Sequence, residues 1–352
     1  KDLAFLEAVK NGLLVNEGFN RSINYLNAWT EKADSSTGLI PRNLKDSSWN
    51  AWDAAADNYP YMVLTASILM PEYFKNRALE MLKTEQKLTA RIGKLPDTYS
   101  FTKKGFLNEE ADSIQIVFGA AEYMKDGLIP LTEWLGKSPW SDRMLEILDD
   151  LPRITRLVKE VKGSKFGKNA VVEVNGDLLQ VLTRMYWFTG QTEYLDWALQ
   201  IAAYYLNTER LPTNMTRLRI RDHGCEIISG LCETYLATHF AMPSKKKEWQ
   251  PFIHQMLDRI LEVGRNPDGL FYDEINPVSG EVLSDRVADN FGYTFNAYYF
   301  VHQIDSKPEY LVAIKKALNS LNNKYRNHNW EGNADGYADA IEGTLNLYNR
   351  EP

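Results

Sequence analysis

The stretch AADNYPYMVLTASILM, residues 55–70, decides the fold. From Tyr59 to Met70 it carries no charge, yet its lead-in SSWNAWDAAADN, residues 47–58, holds Trp49, Trp52, Asp53 and Asp57. A helix that is apolar on nearly every side must be surrounded by protein, whereas one with a polar stripe faces water. The stretch therefore predicts an inner helix with a polar, aromatic entrance.

The same contrast recurs along the chain. Amphipathic segments near 1–30, 71–90, 140–161, 191–207, 246–264 and 308–325 alternate with weakly charged ones near 58–70, 111–125, 174–189, 223–240, 289–304 and 336–349. Loops rich in Gly, Pro, Asn and Asp join them, and strand-like runs are scarce. Internal similarity supports the pairing: AADNYPY at Ala55 resembles VADNFGY at Val287, and PEYFKNRALEML at Pro71 resembles TEYLDWALQIAA at Thr192 and PEYLVAIKKALN at Pro308. The repeat is an inner helix followed by an outer one. Six such hairpins predict an all-α (α/α)6 barrel, a single catalytic domain over 1–352, with parallel inner helices opening at one end.

In this alternation the chain resembles the six-hairpin glycosidase superfamily, whose fold is shared by glycoside hydrolases, polysaccharide lyases and sugar epimerases. The NPDGLFYDEI turn, Asn266 to Ile275, is similar to the Asp-Gly-Leu-Tyr/Phe loops that precede an inner helix in enzymes acting on uronic-acid glycans. The resemblance implies a carbohydrate substrate.

Composition narrows the partners. A net charge of −7 over 352 residues argues against a nucleic-acid binder, which needs a basic surface to displace counterions. There is no apolar run of about 18 residues to span a membrane. The chain opens at Lys1 and not at Met, which suggests a removed leader and a periplasmic or extracellular location. Cys225 and Cys232, seven apart on one helix, lie ~10 Å apart and read as two buried thiols without a bridge. No HExxH, cysteine cluster or three-histidine set points to a catalytic metal, and GxGxxG and P-loop patterns are missing, so no cofactor is expected. Loop carboxylates leave a calcium open.

If the inner helices are parallel, the residues at their starts share one mouth: Asp53, Asp57, Asp112, Asp177, Asp222 with Glu226, Asp289, and Asp335 with Asp339. Glycoside hydrolysis needs two carboxyl groups, one protonated and one ionised. Each aspartate has a rival reading as a helix cap. Asp57 is favoured because Pro60 fits the first helical position, making Tyr59 the cap and leaving Asp57 on the loop. The expected catalytic set is Asp57, Asp222, Asp289 and Asp335, with Asp57 or Asp289 donating the proton and Asp222 or Asp335 acting as base. Glu342 and Asn296, deeper on apolar helices, read as hydrogen-bonded anchors.

Basic residues reach the same mouth: Arg42, Lys103, Lys104, Arg217, Arg219, Arg221 and Arg286. Arg219 and Arg221 would hold a sugar carboxylate, since a guanidinium reads planar anions bidentately. The rival reading pairs these arginines with the mouth aspartates. Aromatic platforms for sugar rings are expected from Trp49, Trp52, Tyr59, Tyr99, Phe106, Tyr272 and Trp330. The substrate-binding set is Trp49, Trp52, Asp53, Tyr59, Asp112, Arg219, Arg221, His223, Glu226, Tyr272, Arg286 and Trp330. His328 lies in the last loop, and His239, His254 and His302 read as structural. The expectation is a glycoside hydrolase acting on an acidic glycan. Its rivals are a lyase using His223, Tyr272 or Tyr59 as base, a sugar epimerase, and a glycan-binding protein without catalysis.

Overall fold

The computed structural model describes residues 2–158, 167–330 and 334–350; at residues 2, 152–158, 167–171, 222 and 223 it describes the backbone alone. The chain packs as two compact units, Lys1–Lys165 and Phe166–Pro352.

The N-terminal unit opens with helix α1 (Asp2–Lys32) and strand β1 (Ser48–Trp49). Helix α2 begins as the π-helix Ala51–Asn58 and continues as Tyr59–Leu69. Helix α3 covers 71–89 with a π-helical stretch at Phe74–Ala78. Strands β2 (Ala90–Ile92), β3 (Leu95–Pro96), β4 (Tyr99–Ser100) and β5 (Gly105–Phe106) follow. Helix α4 covers 113–135 with a π-helical stretch at Tyr123–Leu128, and α5 is Pro139–Val158.

The entrance to α2 differs from expectation. Asn50 is the cap, its side chain accepting from the Asp53 and Ala54 amides at 3.0 and 2.9 Å, so Asp57 lies within the helix and Tyr59 caps nothing. In a π-turn the amide reaches back five residues, here from Tyr59 to the Ala54 carbonyl. The wider turn relieves the clash that the Pro60 ring would make with a carbonyl four residues back.

Glycines set the spacing of the inner pair α2 and α4. A Cβ on Gly119 would come within 2.9 Å of Trp52, and one on Gly127 within 2.9 Å of the Ala55 carbonyl oxygen. Both positions advance together, so the two helices are parallel. Outside them, the fully buried Arg143 on α5 donates from Nε to Glu85 on α3 at 3.0 Å, and from Nη1 to the Lys94 carbonyl at 2.9 Å.

The C-terminal unit contains α6 (Gly167–Thr189), α7 (Thr192–Tyr205), β6 (Leu218–Arg219), α8 (Glu226–Ala241), α9 (Pro243–Val263), β7 (Tyr272–Asn276), β8 (Glu281–Val287), α10 (Phe291–Asp305), α11 (Pro308–Lys324) and α12 (Ala334–Arg350). Helix α8 buries every residue from Glu226 to Tyr235, whereas α9 buries the stripe Trp249, Ile253, Met256, Leu257 and Ile260. This is the inner and outer contrast that the sequence predicts. The inner helices run parallel, since contacts advance along both partners: Gly176 meets Glu226 while Thr183 meets Thr234 at 3.0 Å, and Ser229 meets the Tyr293 carbonyl at 3.2 Å while Tyr235 meets Asp305 at 2.7 Å. Gly292 packs on Gly343, and Asn296 bonds Arg350.

Two expectations change here. Helix α12 is not apolar all round: it buries Gly336, Ala340, Gly343 and Leu347 and exposes Tyr337, Ile341, Leu345 and Tyr348. Glu342 is accordingly exposed, although it does accept from the Tyr293 hydroxyl at 2.8 Å. The antiparallel sheet β6-β7-β8 also departs from the expected scarcity of strands, and Phe271 and Tyr272 of the Asn266 turn lead directly into it. No described helix is long and apolar enough to cross a membrane.

Candidate active site

Two strand ends deliver residues to the starts of inner helices in the C-terminal unit. After β6 the Ile220 amide bonds the Asp273 carbonyl at 2.8 Å, and the chain passes through Arg221 and the short turn Asp222–Cys225 into α8. After β8 it passes through Ala288, Asp289 and Asn290 into α10. Arg221 and Asp289 meet bidentately, Nε to Oδ1 at 3.1 Å and Nη2 to Oδ2 at 3.3 Å, with the residues 8% and 1% exposed. A carboxylate facing a guanidinium fork favours its ionised form.

The pair continues into a buried network. The Asn290 amide N–H donates to Asp289 Oδ1 at 3.1 Å, and its side chain donates to Cys225 Sγ at 3.3 Å. The Cys225 thiol points to Glu226 Oε1 at 3.6 Å, and Gln180 of α6 donates to Glu226 Oε2. Gln180, Cys225, Glu226 and Asn290 are all buried, as is Asp177 one turn before Gln180. The network is what brings Asp289 and Glu226 together. Gln180 and Asn290 were not legible as site residues, since nothing in an amide's spacing says which carboxylate it will meet.

The arginines find protein partners. Three arginines of the 217–221 stretch each meet a carboxylate: Arg217 bonds Glu274 at 3.0 Å, Arg219 lies 3.6 Å from Asp273, and Arg221 holds Asp289. Arg221 pairs with Asp289 as the rival reading had it, since a buried guanidinium requires a counter-charge, whereas the Arg219 side chain beside Asp273 is 40% exposed. Arg286 is exposed on β8 and Tyr272 is half-buried on β7.

Trp330 is buried, 5.9 Å from Phe291 and 4.6 Å from the His328 ring, so it is a packing group and not an open platform. Asp335 is exposed in the first turn of α12, eight residues before the Gly343 contact and thus ~12 Å further along the axis than that contact with α10. The side chains of Asp222 and His223 lie outside the described residues.

In the N-terminal unit Asp53 accepts from Asn50 at 2.7 Å and pairs with Arg42 at 2.9 Å, and the Arg42 guanidinium stands 5.9 Å from the Trp52 ring. This corner is half-open to solvent, and Asp57 is exposed. Asp112 is a helix cap, accepting from the Ile114 and Gln115 amides at 3.0 and 3.2 Å, as its rival reading had it. Trp49 and Tyr59 are corrections: at 2% and 5% exposure they face the core. The Tyr59 hydroxyl donates to the Ala78 carbonyl at 2.7 Å and accepts from Trp140 at 2.9 Å, and burial raises its pKa, which removes it as a base. Tyr99 is buried as well, and Phe106 lies beneath Arg91 at 4.3 Å.

Asp97, between β3 and β4, is a buried carboxylate that the sequence does not single out, since a loop aspartate carries no periodic signal. It is 8% exposed, accepts from the Thr98 amide at 2.7 Å, and has Arg91 3.8 Å away. Burial, reinforced by the charge of Asp112, raises its pKa above the usual carboxylate value against the opposing pull of the Thr98 bond and Arg91. Among the described residues no cluster of three or more His, Cys, Asp or Glu is arranged to hold a metal.

No protein-family model and no curated relative matches the sequence. Among solved structures the chain is similar to a sugar epimerase from a ruminal bacterium, with a TM-score of 0.58 and 11% identity over 87% of this chain and 86% of that one. It also resembles cellobiose 2-epimerase from Bacillus thermoamylovorans B4167 (TM-score 0.48, 11% identity, 87% of each chain). A third likeness is to an α-1,6-mannanase of Salegentibacter sp. HEL1_6 (TM-score 0.44, 18% identity, 61% of this chain and 62% of that one). The alternation of inner and outer helices and the first likeness agree: the chain has the all-α (α/α)6 fold.

Proposed function

We propose that the protein is a carbohydrate-active enzyme, a glycoside hydrolase cleaving an oligo- or polysaccharide, with the whole chain as one catalytic domain. The observation that carries this reading is the buried network joining Asp289 to Glu226 at the starts of two parallel inner helices. Hydrolysis needs carboxyl groups in unlike environments. Asp289, held by Arg221, suits the ionised role of base or nucleophile and not that of proton donor. Asp57 and Asp335, both exposed, and Asp222 complete the candidate set.

An anionic substrate rests on narrower ground than the sequence suggested, because Arg217, Arg219 and Arg221 each face a carboxylate. A polysaccharide substrate fits an exported enzyme. Sugar epimerisation is the second reading, favoured by the likeness to a sugar epimerase.

The test is incubation with acidic and neutral glycans and reducing disaccharides, scoring reducing ends, ultraviolet absorbance and sugar configuration together. New reducing ends without a chromophore support hydrolysis. An unsaturated chromophore shifts the assignment to a lyase, and inversion at one carbon without cleavage shifts it to an epimerase. Binding without any product refutes catalysis.

A further inference from the structure

Helix α1 extends past the packing that supports it. Its C-terminal third meets α2: the Ser22 and Tyr61 hydroxyls are 2.6 Å apart, Tyr25 donates to Asn58, and Leu26 is fully buried. Every residue from Leu3 to Arg21 is exposed, a length of ~28 Å. An uncovered helix of this size is marginal in water, the more so with Gly12 and Gly18 inside it. Yet the stretch is rich in large apolar side chains. By helical periodicity Leu3, Leu6, Leu13 and Leu14 fall on the side opposite Leu26, where a partner can approach without meeting α2. They are 84%, 62%, 68% and 61% exposed, and Val9 at the edge of the face is 44% exposed. Together they leave about 600 Å² uncovered, and the stems of Lys10 and Glu17 bring the face toward the ~800 Å² per partner of a stable interface. The charges on this face are ordered: Glu7 and Lys10 precede Leu13 and Leu14, and Glu17 and Arg21 follow them. In the single chain Glu17 and Arg21 bond each other at 2.7 Å, an exposed pair that contributes little.

We propose that this face of α1 is a homodimer surface, on which a second copy of the chain lays its own α1 antiparallel, the two helices crossing at Leu13 and Leu14. The order of the charges selects both the partner and the direction. With the crossing there, Lys10 of each copy stands opposite Glu17 of the other, and Glu7 opposite Arg21, so opposite charges meet on both sides of the apolar centre. Leu6 then lies over the aliphatic stem of Arg21. A parallel pairing would set each charge against its own kind. The contact is isologous and closes at two copies, leaving no repeat of the surface to propagate.

The test is sedimentation equilibrium of the 352-residue chain over a concentration series, with amide hydrogen exchange read along residues 3–21. The expected result is a species of twice the chain's mass, with exchange slowed around Leu13 and Leu14. Leu13→Glu sets two carboxylates at the crossing and should give a monomer whose α1 exchanges fast while the rest of the chain keeps its protection. Because Leu13 is exposed in the single chain, its replacement leaves the fold intact. Lys10→Glu should weaken the dimer at least ~10-fold, and Lys10→Glu/Glu17→Lys should recover most of that loss. A monomer at every concentration overturns the inference, and so does a dimer indifferent to Leu13→Glu, which would place the contact elsewhere. A double variant no tighter than Lys10→Glu refutes the antiparallel pairing. A monomer that binds phosphatidylglycerol vesicles, and loses that binding in Leu13→Glu, gives the face to a lipid surface and overturns the dimer as well.

Discussion

Arg221→Met is the perturbation that bears hardest on the site. The substitution keeps an unbranched chain of similar length and removes the guanidinium, leaving Asp289, 1% exposed, without the fork that meets it at 3.1 and 3.3 Å. Removing one partner of a buried pair costs about 3–5 kcal/mol, because the remaining charge has lost its counter-ion in a poorly solvated place. The Asn290 amide at 3.1 Å still supports Asp289, so the lower half of that range is expected. Neutralising both partners in Arg221→Met/Asp289→Asn should recover most of the loss. The assay is urea unfolding followed by tryptophan fluorescence and circular dichroism, with the single variant, Asp289→Asn and the double variant forming a cycle. A single variant within about 0.5 kcal/mol of wild type would refute the claim that the pair is buried and mutually dependent. A double variant as unstable as Arg221→Met would also refute it.

Tyr59→Phe should cost about 1–3 kcal/mol, since it leaves the Ala78 carbonyl and Trp140 Nε1 without their partner, and turnover should hold; thermal melts beside activity assays check this. Gly176→Ala should destabilise by about 1–3 kcal/mol in chemical unfolding, because a Cβ there would stand 2.4 Å from the Glu226 backbone. At the far ends of α8 and α10, burial alone would raise the Asp305 carboxyl, but hydrogen bonds from Lys246, Tyr235 and His254 outweigh it and hold its pKa low. Its stabilising effect is present above the unfolded value near 4 and is lost as pH falls through the lower folded value. Asp305→Asn should therefore be less stable than wild type at pH 7, with the gap closing in acid melts.

The helices were legible because burial leaves a mark on every residue of a turn. The charge-free run after Tyr59 and the all-round burial of α8 are the same fact seen twice. Helix α12 misled because apolar content does not say what a face meets: Ile341 and Leu345 are exposed although they read as core. The sheet β6-β7-β8 was missed because β8 is largely exposed and its EVLSDRV run, residues 281–287, mixes charge with apolar residues without a clean period. The start of α2 was misplaced because the Pro60 signal assumes α-helical turns, and a π-turn admits proline where an α-turn rejects it. At the site, position was legible and partnership was not. Asp289 and Glu226 stand at inner-helix starts as their sequence places imply, but which arginine finds which carboxylate depends on contacts between distant segments. Arg219 ends beside Asp273 and Arg221 beside Asp289. The burial of Trp49, Tyr59 and Trp330 was hidden for a similar reason, as an aromatic near a helix start packs inward or outward with the same local sequence.

The most direct measurement of the central claim is product formation from the glycan panel by the purified protein and by Glu226→Gln, which retains a side chain able to meet Gln180, with circular dichroism verifying that both are folded. The account predicts new reducing ends from at least one glycan with the unmodified protein and at least ~100-fold fewer with the variant. No altered glycan, or equal activity in the folded variant, would contradict it.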